Sequence, residues 1–340
     1  MNDIRYISEK ELTLFIKKCG EKPFREKQIR EWLWKKNIQS FDEMRNLSIT
    51  LRESLRNNFE FKTTVIDQEI KSTDKSVKFV FKLFDGYKIE GVIIPSTKRV
   101  TACISSQVGC PLGCQFCATG SMGFTRHLHY SEIIDQYALM NKKSIEYFDR
   151  NISNIVYMGM GEPLLNYDNV IKSIEILTSE EGNAISSSRI TLSTVGIAKG
   201  IRRLADESFK CGLAVSLHSA DEKIREKLMP VTLSNSLAEL QNALRYYVEK
   251  TGDRITFEYV LLEKINDSQY DAEKLCQYCK AFPVKINIIE YNVTNLGFLG
   301  SNPEKKDFFI KYLESKNLIV NIRRSRGQDI AAACGQLLRK

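Results

Sequence analysis

The sequence predicts an α/β fold: an open, partial barrel of six β/α units, preceded by a small helical domain and a β-hairpin extension. Three observations predict it. From Thr101 onward, apolar stretches of strand length alternate with segments of helical period, the pattern of a parallel sheet covered by helices. Between residues 61 and 100 the apolar period is two, and ahead of that it is helical. These changes of period divide the chain into 1–60, 61–100 and 101–340.

The helical start reads as Glu11–Cys19, then Arg25–Lys35 with Ile29, Trp32 and Leu33 on one face, then Phe41–Asn58. Val77, Phe79, Phe81 and Leu83 alternate before Asp85-Gly86, and Tyr87, Ile89, Gly91 and Ile93 alternate after it. Asp-Gly between two such runs predicts a hairpin turn, and in this register Glu90 faces away from Tyr87 and Ile89. Strands are then expected near 101–108, 154–160, 190–196, 212–218, 255–262, 285–292 and 319–324. Helices are expected between them, near 130–144, 167–180, 198–208, 236–250, 270–281 and 303–316, with Ser131 an N-cap and Gly252 a stop. Six or so units are too few for an eightfold barrel, and ligands are expected at the carboxyl ends of the strands.

With 340 residues and 43% hydrophobic content the chain can bury a sizeable core, which excludes disordered and fibrous classes. No apolar run approaches the roughly 18 residues of a membrane span, and Met1–Tyr6 is polar, so a cytoplasmic protein without membrane contact is expected. The net charge of +8 is uneven: residues 1–60 carry +3, 61–100 carry +3, 101–300 carry −3 and 301–340 carry +5. Basic ends fit either a polyanion-binding surface or solvated faces.

Nine cysteines in a cytosolic chain point to metal or catalysis before disulfides. Cys110, Cys114 and Cys117 stand in GCPLGCQFCATG, with Cys103 seven residues ahead. One reading is zinc, with His127 or His129 as the fourth ligand. The other is a [4Fe–4S] cluster with three cysteine ligands and one open iron, which the spacing and Phe116 just ahead of Cys117 favour.

Here the sequence resembles the radical S-adenosylmethionine (SAM) superfamily. The stretches CISSQVGCPLGCQFCATG (103–120), MGMGEPLLN (158–166), LSTVG (192–196), SLH (216–218) and RGQDIAAACGQL (326–337), with KIEGVIIP (88–95), are similar to the bacterial dual-specificity 23S rRNA and tRNA adenine C2-methyltransferases. The resemblance implies that Cys110, Cys114 and Cys117 ligate the cluster. It implies that Gly161, Glu162, Ser193, Ser216, Leu217, His218 and Asn292 hold SAM. It also implies that Cys334 carries the methyl group, that Cys103 resolves the covalent adduct through a transient disulfide, and that Glu90 accepts the C2 proton, a step Cys103 could itself perform. Val293 departs from the family pattern, which has proline there. Cys19, Cys211, Cys276 and Cys279 match nothing in it.

The chemistry implied is radical because adenine C2, between two ring nitrogens, is too electron-poor to attack a methyl cation. The implied substrates are 23S rRNA at the peptidyl transferase centre and tRNA at the adenine 3′ of the anticodon, with a flavodoxin-type electron donor and a monomeric enzyme. A base modified on a ring carbon must be unstacked into a pocket. Arg323, Arg324 and Arg326, with Lys17, Lys18, Arg25, Lys27, Lys35 and Lys36, are candidates to grip the surrounding phosphates. Two competing readings are a C8-methylating resistance enzyme of the same fold and a zinc-stabilised RNA-binding module without catalysis. Pro163 and KIEGVIIP are closer to the C2 group.

Overall fold

In the computed structural model, which describes residues 1–294 and 296–337, ten strands form one sheet whose spatial order follows the chain. They are β1 (Val65–Lys71), β2 (Val77–Lys82), β3 (Lys88–Pro95), β4 (Val100–Cys103), β5 (Asn154–Tyr157), β6 (Ile190–Thr194), β7 (Gly212–Ser216), β8 (Ile255–Leu261), β9 (Val284–Glu290) and β10 (Ile319–Arg323). Pairing is antiparallel from β1 to β4 and parallel from β4 to β10. Seven parallel strands linked by six helical crossovers form the open barrel that the alternation predicts.

The crossover helices are Tyr130–Phe148, Tyr167–Thr178, Ala198–Asp206, Leu237–Thr251, Gln269–Cys279 and Pro303–Ser315. Their cover leaves Ile155, Leu192, Val215, Phe257, Ile286 and Ile288 essentially without solvent contact. Each such side chain contributes about 1.5–3 kcal/mol relative to exposure. Gly252 ends its helix in the left-handed conformation (φ 71°), as expected.

The hairpin is less separate than the period change suggests. It has three strands, and β3 pairs with β4 through Val92–Cys103 and Ile93–Ala102, so residues 65–95 extend the barrel sheet. The Asp85-Gly86 turn closes through Gly86 N–H to Leu83 O (2.9 Å). The single strand expected over 101–108 breaks after Cys103. There Ser105 substitutes for the ladder, its N–H donating to Gln136 Oε1 (2.8 Å) and its hydroxyl to Glu90 O (2.6 Å). The chain resumes as Gln107–Gly109, paired with Phe124–His127.

The helical start is also more broken than its periodicity. Phe24–Arg30 runs into a wider turn at Glu31–Lys35, and 41–58 divides into Phe41–Glu43 and Ile49–Asn58 because Ser48 caps the second piece. This unit is tied to the barrel by buried charge: Arg5 donates to both Asp3 oxygens and, from Nη1, to Asp135 Oδ1 (2.7 Å) on the Tyr130–Phe148 helix. That helix is capped by His129 rather than Ser131. The His129 ring accepts from Ser131 N–H while the His129 backbone N–H donates to Glu132.

Candidate active site

The carboxyl ends of successive strands open into one cavity of about 1080 Å³, its mouth included. Strand β5 delivers Met158, Gly161 and Glu162, β6 delivers Ser193 and Val195, and β7 delivers Ser216 and His218. Strands β8 to β10 add Glu258, Val260, Asn292 and Arg323. Opposite them stand Cys110, Cys114 and Cys117, from the loop between β4 and the first crossover helix, with Cys334 from the C-terminal segment.

Glu162 is held rigidly. Its carboxylate accepts from Leu164 N–H (3.0 Å) and Val195 N–H (2.9 Å), and its own N–H donates to Gln107 Oε1 (2.8 Å). Burial nevertheless pushes its carboxyl up to about 7 against those hydrogen bonds. The approach that makes this contact requires glycine at 161. Its φ is +99°, and a Cβ there would lie 2.5 Å from Gln107 Cβ.

His218 sits at φ +56° with Nδ1 accepting from Val260 N–H (3.0 Å), so its proton is on Nε2; burial lowers its pKa to about 3, the neutral ring being strongly preferred. Leu217 is buried and does not line the cavity; its contribution is a carbonyl that accepts from Arg225 Nε (3.1 Å). Arg225 escaped the sequence reading. Fully buried, it also donates to Val195 O (2.5 Å) and Thr232 Oγ1 (2.9 Å), tying together the loops after β6 and β7.

Asn292 lines the cavity but uses its amide on the C-terminal segment. Its Nδ2 donates to Cys334 O (3.0 Å), and Gln328 Nε2 donates to its Oδ1 (2.9 Å). Cys334, Met158, Glu258 and Arg323 also border a second, polar cavity inside the barrel, which Cys103 enters from β4. Burial pushes the Cys103 thiol up to about 12; neighbouring Cys334 adds to this and Arg323 opposes it. Arg323 is therefore not free for phosphate, since its guanidinium points inward to Glu258 (3.3 Å) and Met158 Sδ (3.2 Å). Arg189, Lys285, Arg324 and Arg326 also border this space.

Glu90 lines neither cavity. It is buried on β3 and ion-paired with Lys78 (3.3 Å), while its backbone N–H meets Met160 Sδ (3.3 Å) and its carbonyl meets Ser105.

The zinc reading finds no support in this arrangement. Among the described residues no three His, Cys, Asp or Glu side chains converge as a single ion requires. His127 faces Gln107 (3.1 Å) and His129 caps its helix.

Two sequence profiles match the chain: the ribosomal RNA large subunit methyltransferase N-terminal domain over residues 3–61, and the radical SAM superfamily over 104–276. The probable dual-specificity RNA methyltransferase RlmN of Cytophaga hutchinsonii is 50% identical over 335 residues, covering 98% of this chain and 92% of the relative. The chain belongs to this radical SAM family of RNA methyltransferases. The Flavobacterium psychrophilum member is 47% identical over 339 residues, covering 99% of this chain and 98% of that one. A crystal structure of a radical SAM methyltransferase from Sphaerobacter thermophilus has a TM-score of 0.93 at 37% identity, with 99% of both chains covered.

Radical SAM enzymes use a [4Fe–4S] cluster and SAM. The donor set fits such a cluster. Burial raises all three thiols, Cys110 to about 12; Cys117 adds to the shift at Cys110 and Cys114, and Cys334 to that at Cys117. Three adjacent thiolates in this wall need a positive centre to offset them, which iron supplies.

Proposed function

We propose that this protein methylates C2 of adenine in 23S rRNA at the peptidyl transferase centre and in tRNA at the adenine 3′ of the anticodon. The observation that carries the reading is the place of Cys334: it borders both the cavity that holds the three cluster cysteines and the cavity that Cys103 enters. A carrier thiol must face SAM on one side and the base on the other.

In this reading Cys110, Cys114 and Cys117 hold the cluster, which when bound supplies the electron that cleaves SAM. Glu162, Ser193, Ser216 and His218 hold SAM, with backbone help at Gly161 and Leu217, and Asn292 adds the edge nearest Cys334. Cys334 takes a methyl group from one SAM. After a hydrogen is removed from that methyl, its carbon adds to adenine C2, joining protein and RNA. Glu90 or Cys103 then accepts the C2 proton while the adduct's unpaired electron would return to the oxidised cluster; the Cys103 thiolate attacks the Cys334 sulfur, forming a disulfide and breaking the sulfur–methylene bond, and the released carbon takes up a proton to complete the methyl group of the freed base. A reducing cytoplasm resets the pair.

Arg189, Lys285, Arg324 and Arg326 flank the second cavity as contacts for the flipped nucleotide's phosphates. The reading includes a cytoplasmic monomer served by a flavodoxin-type reductant; among the described residues no helix is long and apolar enough to cross a membrane.

The test is nucleoside mass spectrometry after anaerobic turnover on rRNA and tRNA fragments. 2-Methyladenosine is expected from both, and 8-methyladenosine in its place overturns the assignment. Cys334→Ala should abolish product while sparing reductive SAM cleavage, and Cys103→Ala should accumulate the RNA–protein adduct.

A further inference from the structure

Residues 327–337 close over the barrel mouth and are fastened at both ends. The downstream fastening belongs to the site already described: Ala118 N–H donates to Gly335 O (2.8 Å) and Thr119 Oγ1 to Leu337 O (2.7 Å). The upstream fastening reaches more than 250 residues back in the chain, to the turn between β1 and β2. Asp329 Oδ1 accepts from Ser72 Oγ (2.6 Å), and its Oδ2 accepts from Thr73 N–H (3.0 Å) and Thr73 Oγ1 (3.3 Å). Asp74 Oδ2 accepts from Gly327 N–H (2.8 Å), while its Oδ1 accepts from Ser76 N–H (2.8 Å) and stiffens the turn.

Two backbone features show how closely the segment is fitted there. Gly327 lies at φ +67°, where an added Cβ would come within 2.9 Å of Ala332 Cβ and 3.6 Å of Ser76 Cβ. Ala331 is also left-handed (φ 51°), a conformation costly for a residue with a Cβ, and its carbonyl accepts from the buried Lys78 ammonium (3.3 Å), the same group that pairs with Glu90. Strand β1 itself is an edge strand with little buried surface.

Cys334 has to meet SAM, the base and Cys103 in turn, and it lies five residues beyond Asp329. Five extended residues span at most about 17 Å, so an anchor at Asp329 keeps the thiol within reach of all three while its own end of the segment moves. We propose that the Ser72–Ser76 turn is a clasp for the Cys334 segment, with Asp74 and Asp329 as positioning residues that hold its upstream end through the catalytic cycle. The proposal rests on the reading of Cys334 as methyl carrier.

The experiment uses the full-length, cluster-loaded protein purified without oxygen, as wild type, Asp329→Ala, Asp74→Ala and Asp329→Asn. Trypsin cleavage after the exposed Arg324 and Arg326 reports release of the segment independently of turnover. The Ala variants should be cut about tenfold faster at an unchanged melting temperature, as loss of charge-assisted hydrogen bonds at a local anchor predicts. In turnover, the ratio of 5′-deoxyadenosine to 2-methyladenosine should rise about tenfold, because SAM is still cleaved while the carrier is misplaced. Asp329→Asn, which keeps one acceptor for the turn, should fall between wild type and Asp329→Ala in both measurements.

If cleavage rate and product ratio match wild type in both Ala variants, the clasp is refuted. It is refuted equally if they change only in proportion to a fall in melting temperature. Peptide mass spectrometry separates this from failure of the underlying reading: wild-type protein that never shows S-methyl-Cys334 overturns the carrier assignment, and the clasp with it.

Discussion

At Arg323 a single alternation in strand β10 decides a function. The run Arg323-Arg324-Ser325-Arg326 reads as one basic patch, but successive side chains of a strand and its exit point to opposite sides, and Arg323 turns into the barrel between Glu258 and Met158. Its charge is favoured there by Cys334 and Glu258 despite burial. Replacing Arg323 by leucine strands the buried Glu258 carboxylate, although Asn287 still donates to it (2.8 Å). Because the arginine side chain is 29% exposed, the expected loss of stability is about 1–3 kcal/mol rather than the full cost of a broken buried pair, measured by urea unfolding. Arg324→Leu, at an exposed position, should change it by less than about 0.5 kcal/mol. The meeting of Cys110, Cys114 and Cys117 at one cavity was legible because they lie within eight residues, and so was the order of the strand-end residues that line it. Arg225 was not: EKIREKL has the look of a solvated helix, and the carbonyls of Val195 and Leu217, with the Thr232 hydroxyl, make its burial tolerable.

The Tyr130–Phe148 helix shows the same limit for elements. Its period was plain, but its start depends on a histidine ring, packed at a tilt against Tyr6 (3.7 Å) and Tyr130 (4.0 Å), acting as a hydrogen-bond acceptor. Serine two residues later was the better sequence guess because propensity does not see that packing. The cap has a pH signature. Burial lowers the His129 pKa from 6.5 to about 4, so in this window the folded protein binds fewer protons than the unfolded chain. The stability it contributes is complete above pH 6.5 and is lost as pH falls toward 4, where a protonated ring could no longer accept and would place a cation at a helix N-terminus. Thermal melts between pH 7 and 4 should show this decline, and His129→Asn, which keeps a cap acceptor without titrating, should flatten it. Strand β4 failed differently: CISSQVG alternates well enough for one strand, yet the Ser105 hydroxyl and amide leave the ladder for Glu90 and Gln136.

For the molecule as a whole, residues 65–95 continue the sheet of the barrel, and the N-terminal segment is joined to a crossover helix. The N-terminal helices are fixed by Arg5 between Asp3 and Asp135, both carboxylates being buried. Arg5→Ala leaves two uncompensated charges and should cost about 3–5 kcal/mol, read as a lowered denaturation midpoint. The Arg5→Ala, Asp135→Ala pair should lose less than the sum of its single changes. An independently tethered N-terminal unit would instead melt separately and leave the barrel transition unmoved.

The ten strands stand in space in the order in which they occur in the chain, each beside its predecessor. A polypeptide emerging from the ribosome can therefore add one strand at a time to an existing edge, with little loop-closure entropy at each step. The bonds from Asp329 to Ser72 and Thr73 break that pattern, joining a residue made late to a turn made early. They cannot form until all seven parallel strands have been made. On the proposal that Cys334 carries the methyl group, its thiol is thus withheld from its working position until residue 329 is in place, and a shorter chain, which lacks Cys334, cannot become joined to RNA.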